Sequence, residues 1–193
     1  DPARRDGHGG KTVAIGDCEP DIAALEELLL RKARHVLVKL SPMLDLTLAL
    51  NDLKHVHQAH IVSVGNECKE LLLVLERERC AAPRVVCVND EQILEYEANH
   101  GSTEDADGIA HASSDGEEPL AGTRTGAIGA DRWQYLYEPN ASIMKAGCFA
   151  VISQRFDVHP IGPNSHLFVS AKPVDGFHGR SFAIESIATM NKR

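Results

Sequence analysis

The sequence predicts an α/β fold, a sheet that ends in an antiparallel hairpin, followed by a small α+β unit. Three observations carry this expectation. Helix-patterned and strand-patterned segments alternate from residue 20 to residue 75. Two apolar runs, 59–64 and 70–75, are separated by a turn too short for a crossover, so they must pair antiparallel. Ordered patterning then resumes at Trp133, after a long polar stretch.

Each element follows from local signals. Pro20-Asp21 opens the first helix, with Asp17 as its expected cap and Ile22, Leu25, Leu28 and Leu29 repeating at helical spacing. That helix fades near Ala33, and 35–40 reads as a short buried strand that Ser41-Pro42 stops. Residues 43–53 read as a second helix, 59–64 as a strand, 65–69 as a turn and 70–75 as the returning strand. Residues 83–89 and 92–96 form a further hairpin or an extension of the sheet. Gly, Ser, Asp, Glu and Thr dominate 99–131, which reads as a mobile acidic linker. Its Gly122, Gly126 and Gly129 follow no strand, so they are linker glycines and not a nucleotide loop. Beyond it lie a strand at 135–138, one amphipathic helix of somewhat irregular spacing over 141–156, a loop at 158–164, and strands at 166–171 and 181–187.

Composition bounds the function. At 193 residues and 43% hydrophobic, the chain buries one sizeable core or two small ones. A net charge of −8 argues against coating nucleic acid through bulk electrostatics and leaves room for a local basic patch. No run of about 18 apolar residues exists to span a membrane. Cys18, Cys68, Cys80, Cys87 and Cys148 are odd in number, scattered and without a CxxC pair, which reads as reduced thiols in a cytosolic protein. Asn140-Ala-Ser142 matches a glycosylation acceptor, a pattern with little meaning outside a secretory context.

The chain opens on Asp1-Pro2-Ala3-Arg4, where a strand preceding the first helix would end. Ligands of open α/β sheets bind beyond the carboxyl ends of the strands. An Asp there accepts a hydrogen bond from a substrate N–H, and Pro fixes the direction of its carbonyl. This tetrapeptide resembles motif IV of class I S-adenosylmethionine-dependent methyltransferases, the Asp/Asn-Pro-Pro-x loop. The runs DPARRD, GGKTVAIGDCEPD, VLVKLSPMLDL, HIVSVGNECKELLLVL and YLYEPNASIMKAG together resemble a bacterial group of these enzymes. That group carries a ferredoxin-like segment and then a THUMP-like domain after the catalytic fold, and the resemblance covers nearly the whole chain apart from the acidic linker.

The resemblance implies the C-terminal half of a Rossmann-like sheet in 1–82, with 36–40, 59–64 and 70–75 as its fifth, sixth and seventh strands. Residues 83–98 then extend the sheet or form a hairpin, 99–131 link, 132–180 form the ferredoxin-like subdomain, and 181–193 begin a truncated THUMP-like domain. The chain is expected to be a fragment, inactive alone, with no residue binding the cofactor S-adenosyl-L-methionine and no metal ligand. In the intact protein the implied chemistry is in-line methyl transfer, with Asp1 and the Pro2 carbonyl orienting an acceptor amino group. Arg4 stands where an aromatic usually stacks on a flipped base, and it contacts a phosphate or pairs with an acid instead. The implied partner is structured RNA, tRNA or rRNA, in the cytoplasm. A non-enzymatic RNA- or protein-binding module is the alternative, and an exposed apolar sheet edge along 36–40 would be the mark of a missing neighbour.

Further residues carry two readings each. Lys39, Ser41 and Pro42 either touch substrate, or Pro42 starts a helix that Ser41 caps beside a solvated Lys39. Lys145, with Arg155 and Lys172, is an RNA-facing patch near Tyr135 and Tyr137, unless those rings belong to the core. His55, His57 and His60 look like a metal cluster, but His60 points away from the other two, so they read as surface histidines in a turn. Cys148 has no partner pattern for a nucleophile and reads as packing. The helix start in YEPNASIMKAG either receives an anion or is ordinary.

Overall fold

The computed structural model describes residues 2–4, 15–98, 132–162 and 165–187. The described residues up to Ala98, together with Asn140–Gly147, form one compact unit, and the others form a second.

The first unit opens with β1 (Ala3–Arg4), which pairs antiparallel with β2 (Cys18–Glu19). Helix α1 (Ile22–Lys32) is capped by Asp21 and not by Asp17: the Asp21 carboxylate accepts from Ala24 N at 3.1 Å. Its buried stripe is Ile22, Glu26 and Leu30, whereas Leu28 is exposed. The apolar repeat read from the sequence is therefore rotated, because an acid occupies the inward i+4 position. Strand β3 (His35–Leu40) follows. Ser41 Oγ then accepts from Met43 N, and Asp45 caps α2 (Leu46–Asp52) through Leu48 N at 2.9 Å. The second helix thus begins at Leu46 and not at 43, because Ser41 holds a separate turn ahead of it.

Strands β4 (Val56–Val64) and β5 (Glu67–Glu76) pair antiparallel, as their short connection requires. The connection is only Gly65-Asn66, both left-handed at φ 58° and 62°, the dihedral pair of a type I′ turn. Glu67, Cys68 and Lys69 are already strand. Beyond them β6 (Arg84–Asn89) runs parallel to β4 and turns back as β7 (Gln92–Glu97), so this segment is both a hairpin and a sheet extension. The strand order is β3-β5-β4-β6-β7. One face is fully packed: Leu71, Leu73, Leu75, Ile61, Val85 and Leu94 are each 0% exposed. Each large side chain on it stabilises the fold by roughly 1.5–3 kcal/mol. Strand β3 lies at one edge of the described strands, with Val38 and Leu40 buried and Leu37 64% exposed on the opposite face.

The second unit begins with β8 (Tyr135–Pro139), and the chain then returns to the first unit as α3 (Ala141–Ala146), which packs on β4, β5 and β6. The second unit continues with α4 (Phe149–Phe156), β9 (His159–Pro160), β10 (Phe168–Ser170) and β11 (Gly179–Ala183), in the antiparallel order β11-β8-β10-β9. The single helix expected over 141–156 is two helices. Gly147, at φ 66°, takes the left-handed C-cap of α3 and donates to Ile143 O. The buried Ile143 and Ile152 lie nine residues apart, about two and a half turns, so they fall on opposite faces of one continuous helix and the irregular spacing marks the break. The strands expected at 166–171 and 181–187 are Phe168–Ser170 and Gly179–Ala183. Among the described residues no helix is long and apolar enough to cross a membrane.

Candidate functional site

Pro2 is buried, and Ala3 and Arg4 lie opposite Glu19 and Cys18, so a short ladder holds the opening loop. Asp1 and the Arg4 side chain lie outside the described residues. At the end of β3, Lys39 Nζ stands 3.5 Å from Glu70 Oε2 across the sheet. Both side chains are more than a third exposed, so the pair contributes at most about 1 kcal/mol. Lys39 is thus partnered, on the face opposite Val38 and Leu40. Ser41 and Pro42 form the turn after it, and neither starts nor caps α2. The structure therefore gathers Lys39, Ser41 and Pro42 at one strand end.

Lys145 sits elsewhere, on the last turn of α3, where its charge acts on Cys68 at the start of β5. Burial pushes the Cys68 thiol up; the Ser63 hydroxyl and Lys145 pull the other way, and Glu70 adds to the rise. The net shift is upward, which keeps this sulfur a thiol and a poor nucleophile near neutrality. Arg155 and Lys172 belong to the second unit, so the patch read from the sequence is divided between units. No disulfide joins any of the five cysteines, and Cys148 is buried.

The start of α3 is closed by its own neighbours. Asn140 Oδ1 accepts from Ile143 N at 3.2 Å and from Ser142 Oγ at 2.7 Å, and Asn66 Oδ1 accepts from Ala141 N at 2.8 Å. Asn140 Nδ2 donates to Gln92 Oε1 at 2.9 Å. These donors are spent inside the unit, so this is an ordinary helix start. At 3% exposure, Asn140 is also closed to a glycosylating enzyme.

The histidines serve the sheet. His55 is buried and not on the surface, with Nδ1 donating to Glu76 O at 3.1 Å. His57 Nε2 is 2.8 Å from Glu78 O, and His60 Nε2 is 3.0 Å from Gln58 Oε1. A register shift between Val56 and Gln58 breaks the strict alternation on which their facing was read. No group of three His, Cys, Asp or Glu able to hold a metal occurs among the described residues. Glu26, not singled out by the sequence analysis, is 4% exposed. Its Oε1 accepts from Lys54 N and His55 N, each at 3.0 Å, and so fixes the entry to β4.

In the second unit Tyr137 is 1% exposed, and its hydroxyl accepts from Val174 N at 2.9 Å and lies 3.1 Å from Ser170 Oγ. Its ring is core, packed 4.8 Å from Phe177, and not a stacking surface. Burial lowers the His178 pKa, with Arg155 adding a smaller repulsion, and the ring lies edge-on to Phe156. A group lowered in the folded state binds its proton more readily when unfolded. This unit therefore keeps its full stability above about pH 6.5 and loses some as the pH falls below it. Urea melts followed by Trp133 fluorescence are expected to show a lower midpoint at acidic pH, and His178→Gln to flatten that dependence. An unchanged slope in the variant would assign it to other groups.

S-adenosylmethionine, the cofactor that the sequence resemblance implies, does not fit the described residues. They hold no strand that runs into a glycine-rich turn and helix.

Comparison with known proteins adds three findings. Residues 135–177 match a family described as a ferredoxin-like domain. No curated protein matches the chain. A crystal structure of a proposed methyltransferase from Porphyromonas gingivalis W83 is similar over 96% of this chain, with 30% identity and a TM-score of 0.71, and the chain spans 42% of that protein's length. The chain is thus similar in sequence and fold to that protein, and it is a mixed α/β chain with a ferredoxin-like segment.

Proposed function

We propose that this chain supplies the acceptor side of a class I S-adenosylmethionine-dependent methyltransferase that acts on RNA in the cytoplasm. The observation that carries the reading is the similarity over 96% of the chain to a structure named as a proposed methyltransferase. The antiparallel β4–β5 pair supports it, because it is the sixth-and-seventh-strand hairpin that the resemblance implies. The edge position of β3 among the described strands also supports it, because the resemblance implies a further strand beside it. In this reading β1 carries the acceptor loop, with Asp1 and the Pro2 carbonyl holding an amino group. The glycine-rich loop and ribose-binding acid come from sequence outside this chain. The ferredoxin-like unit and a THUMP-like domain beyond it deliver the RNA.

Calorimetry with S-adenosylmethionine tests this. The longer protein carrying both halves of the sheet is expected to bind, and the 193-residue chain to give no measurable heat. Binding by neither overturns the methyltransferase reading and favours a non-enzymatic interaction module.

A further inference from the structure

The sheet of the second unit has two unlike faces. Tyr137 and Phe168 lie on the face that meets Phe149 of α4. On the opposite face, Phe182, Leu136, Val169 and His159 stand in register, one from each strand, in a row across β11, β8, β10 and β9. With strands about 4.8 Å apart, the two ends of this row are about 14 Å apart. Each end carries a ring beside an arginine: exposed Phe182 at one, half-buried Trp133 at the other. Phe182 is 44% exposed, and the Arg180 guanidinium lies 5.9 Å from its ring centre, steadied by Glu138 at 2.5 Å. At the other end His159 is exposed, Trp133 lies 5.0 Å from it, and Arg132 lies 4.8 Å over the indole.

We propose that this row is a base-stacking platform for single-stranded RNA. The chemistry favours that occupant. A flat ring beside a guanidinium offers a stacking surface for a base and a charge for the adjoining phosphate. Between the two stations Leu136 is half-buried and Val169 is 2% exposed, so the row offers two separate stacking stations for unpaired bases and no open surface in its middle. A duplex keeps its bases stacked on each other and presents no free base faces to these rings. The inference deepens the RNA reading of the proposed function, and it does not depend on methyl transfer.

Trp133 is the chain's single tryptophan, so its fluorescence reports this site directly. Titration of the chain with an eight-nucleotide oligouridylate, with no methyl donor present, is expected to quench Trp133 saturably. Two arginine–phosphate contacts on a single strand predict a salt slope of about −1.4 in log–log form. Phe182→Ala leaves Trp133 in place and removes a half-exposed ring; it is expected to weaken binding about tenfold, with an unchanged circular dichroism spectrum. Arg180→Gln is expected to weaken binding and flatten the slope. Equal quenching by single-stranded DNA of the same length supports a platform for unpaired bases in general. Absence of saturable quenching by either strand, equally tight binding of a duplex, or full affinity in Phe182→Ala overturns the platform. Methyl-donor binding by the longer protein stands or falls separately in its own calorimetric test.

Discussion

Replacing Glu26 with alanine is expected to destabilise the first unit by about 2–4 kcal/mol. The carboxylate is 4% exposed and accepts from the backbone N–H groups of Lys54 and His55. Alanine leaves the buried His55 N–H and the part-buried Lys54 N–H without their acceptor, and an unmet buried donor costs about 1–3 kcal/mol. The loss falls where the chain enters β4, a strand flanked on both sides by others. Glu26→Gln keeps one carbonyl oxygen in place and is expected to recover much of the difference. Urea melts followed by far-ultraviolet circular dichroism measure the effect. Trp133, which belongs to the second unit, reports whether the damage stays local. A change below about 0.5 kcal/mol, the range of an ordinary surface substitution, would show that water replaces the carboxylate without penalty.

The second large effect is on turnover. In the longer protein required by the proposed function, Asp1→Ala is expected to reduce methyl transfer by at least about a hundredfold, the scale of a misplaced reacting group. Affinity for the methyl donor is expected to stay nearly constant, because Asp1 is assigned to the acceptor. Single-turnover assays beside donor-binding calorimetry separate these quantities. Wild-type turnover in the variant would show that Asp1 does not orient the acceptor.

Local signals were readable in the sequence, and choices between distant partners were not. The β4–β5 hairpin follows from a connection that leaves no room for a crossover, and Gly65-Asn66 has the composition of such a turn. That β6 lies parallel to β4 depends on a pairing across the sheet, which no local pattern specifies. The break at Gly147 was legible as a spacing irregularity, because Ile143 and Ile152 are both buried yet stand about two and a half turns apart. Glu26 was missed because an acid on a helix is normally solvated. The available clue was its place between Ile22 and Leu30, at i+4 and i−4 on one stripe. Among the site residues, Lys39, Ser41 and Pro42 were placed together by sequence adjacency. Lys145 was grouped with Arg155 and Lys172 from charge alone, and charge does not encode which unit a helix joins.

The return of α3 to the first unit has a consequence in time. Strand β7 ends at Glu97, yet the helix that packs on β4, β5 and β6 begins at Ala141. At about 5–20 residues per second, a ribosome needs roughly 2–9 s to supply it. During that interval the nascent sheet holds all its strands while Asn66 and Gln92 wait for Ala141 and Asn140. The first unit to be made is therefore finished only after the first strand of the second has emerged.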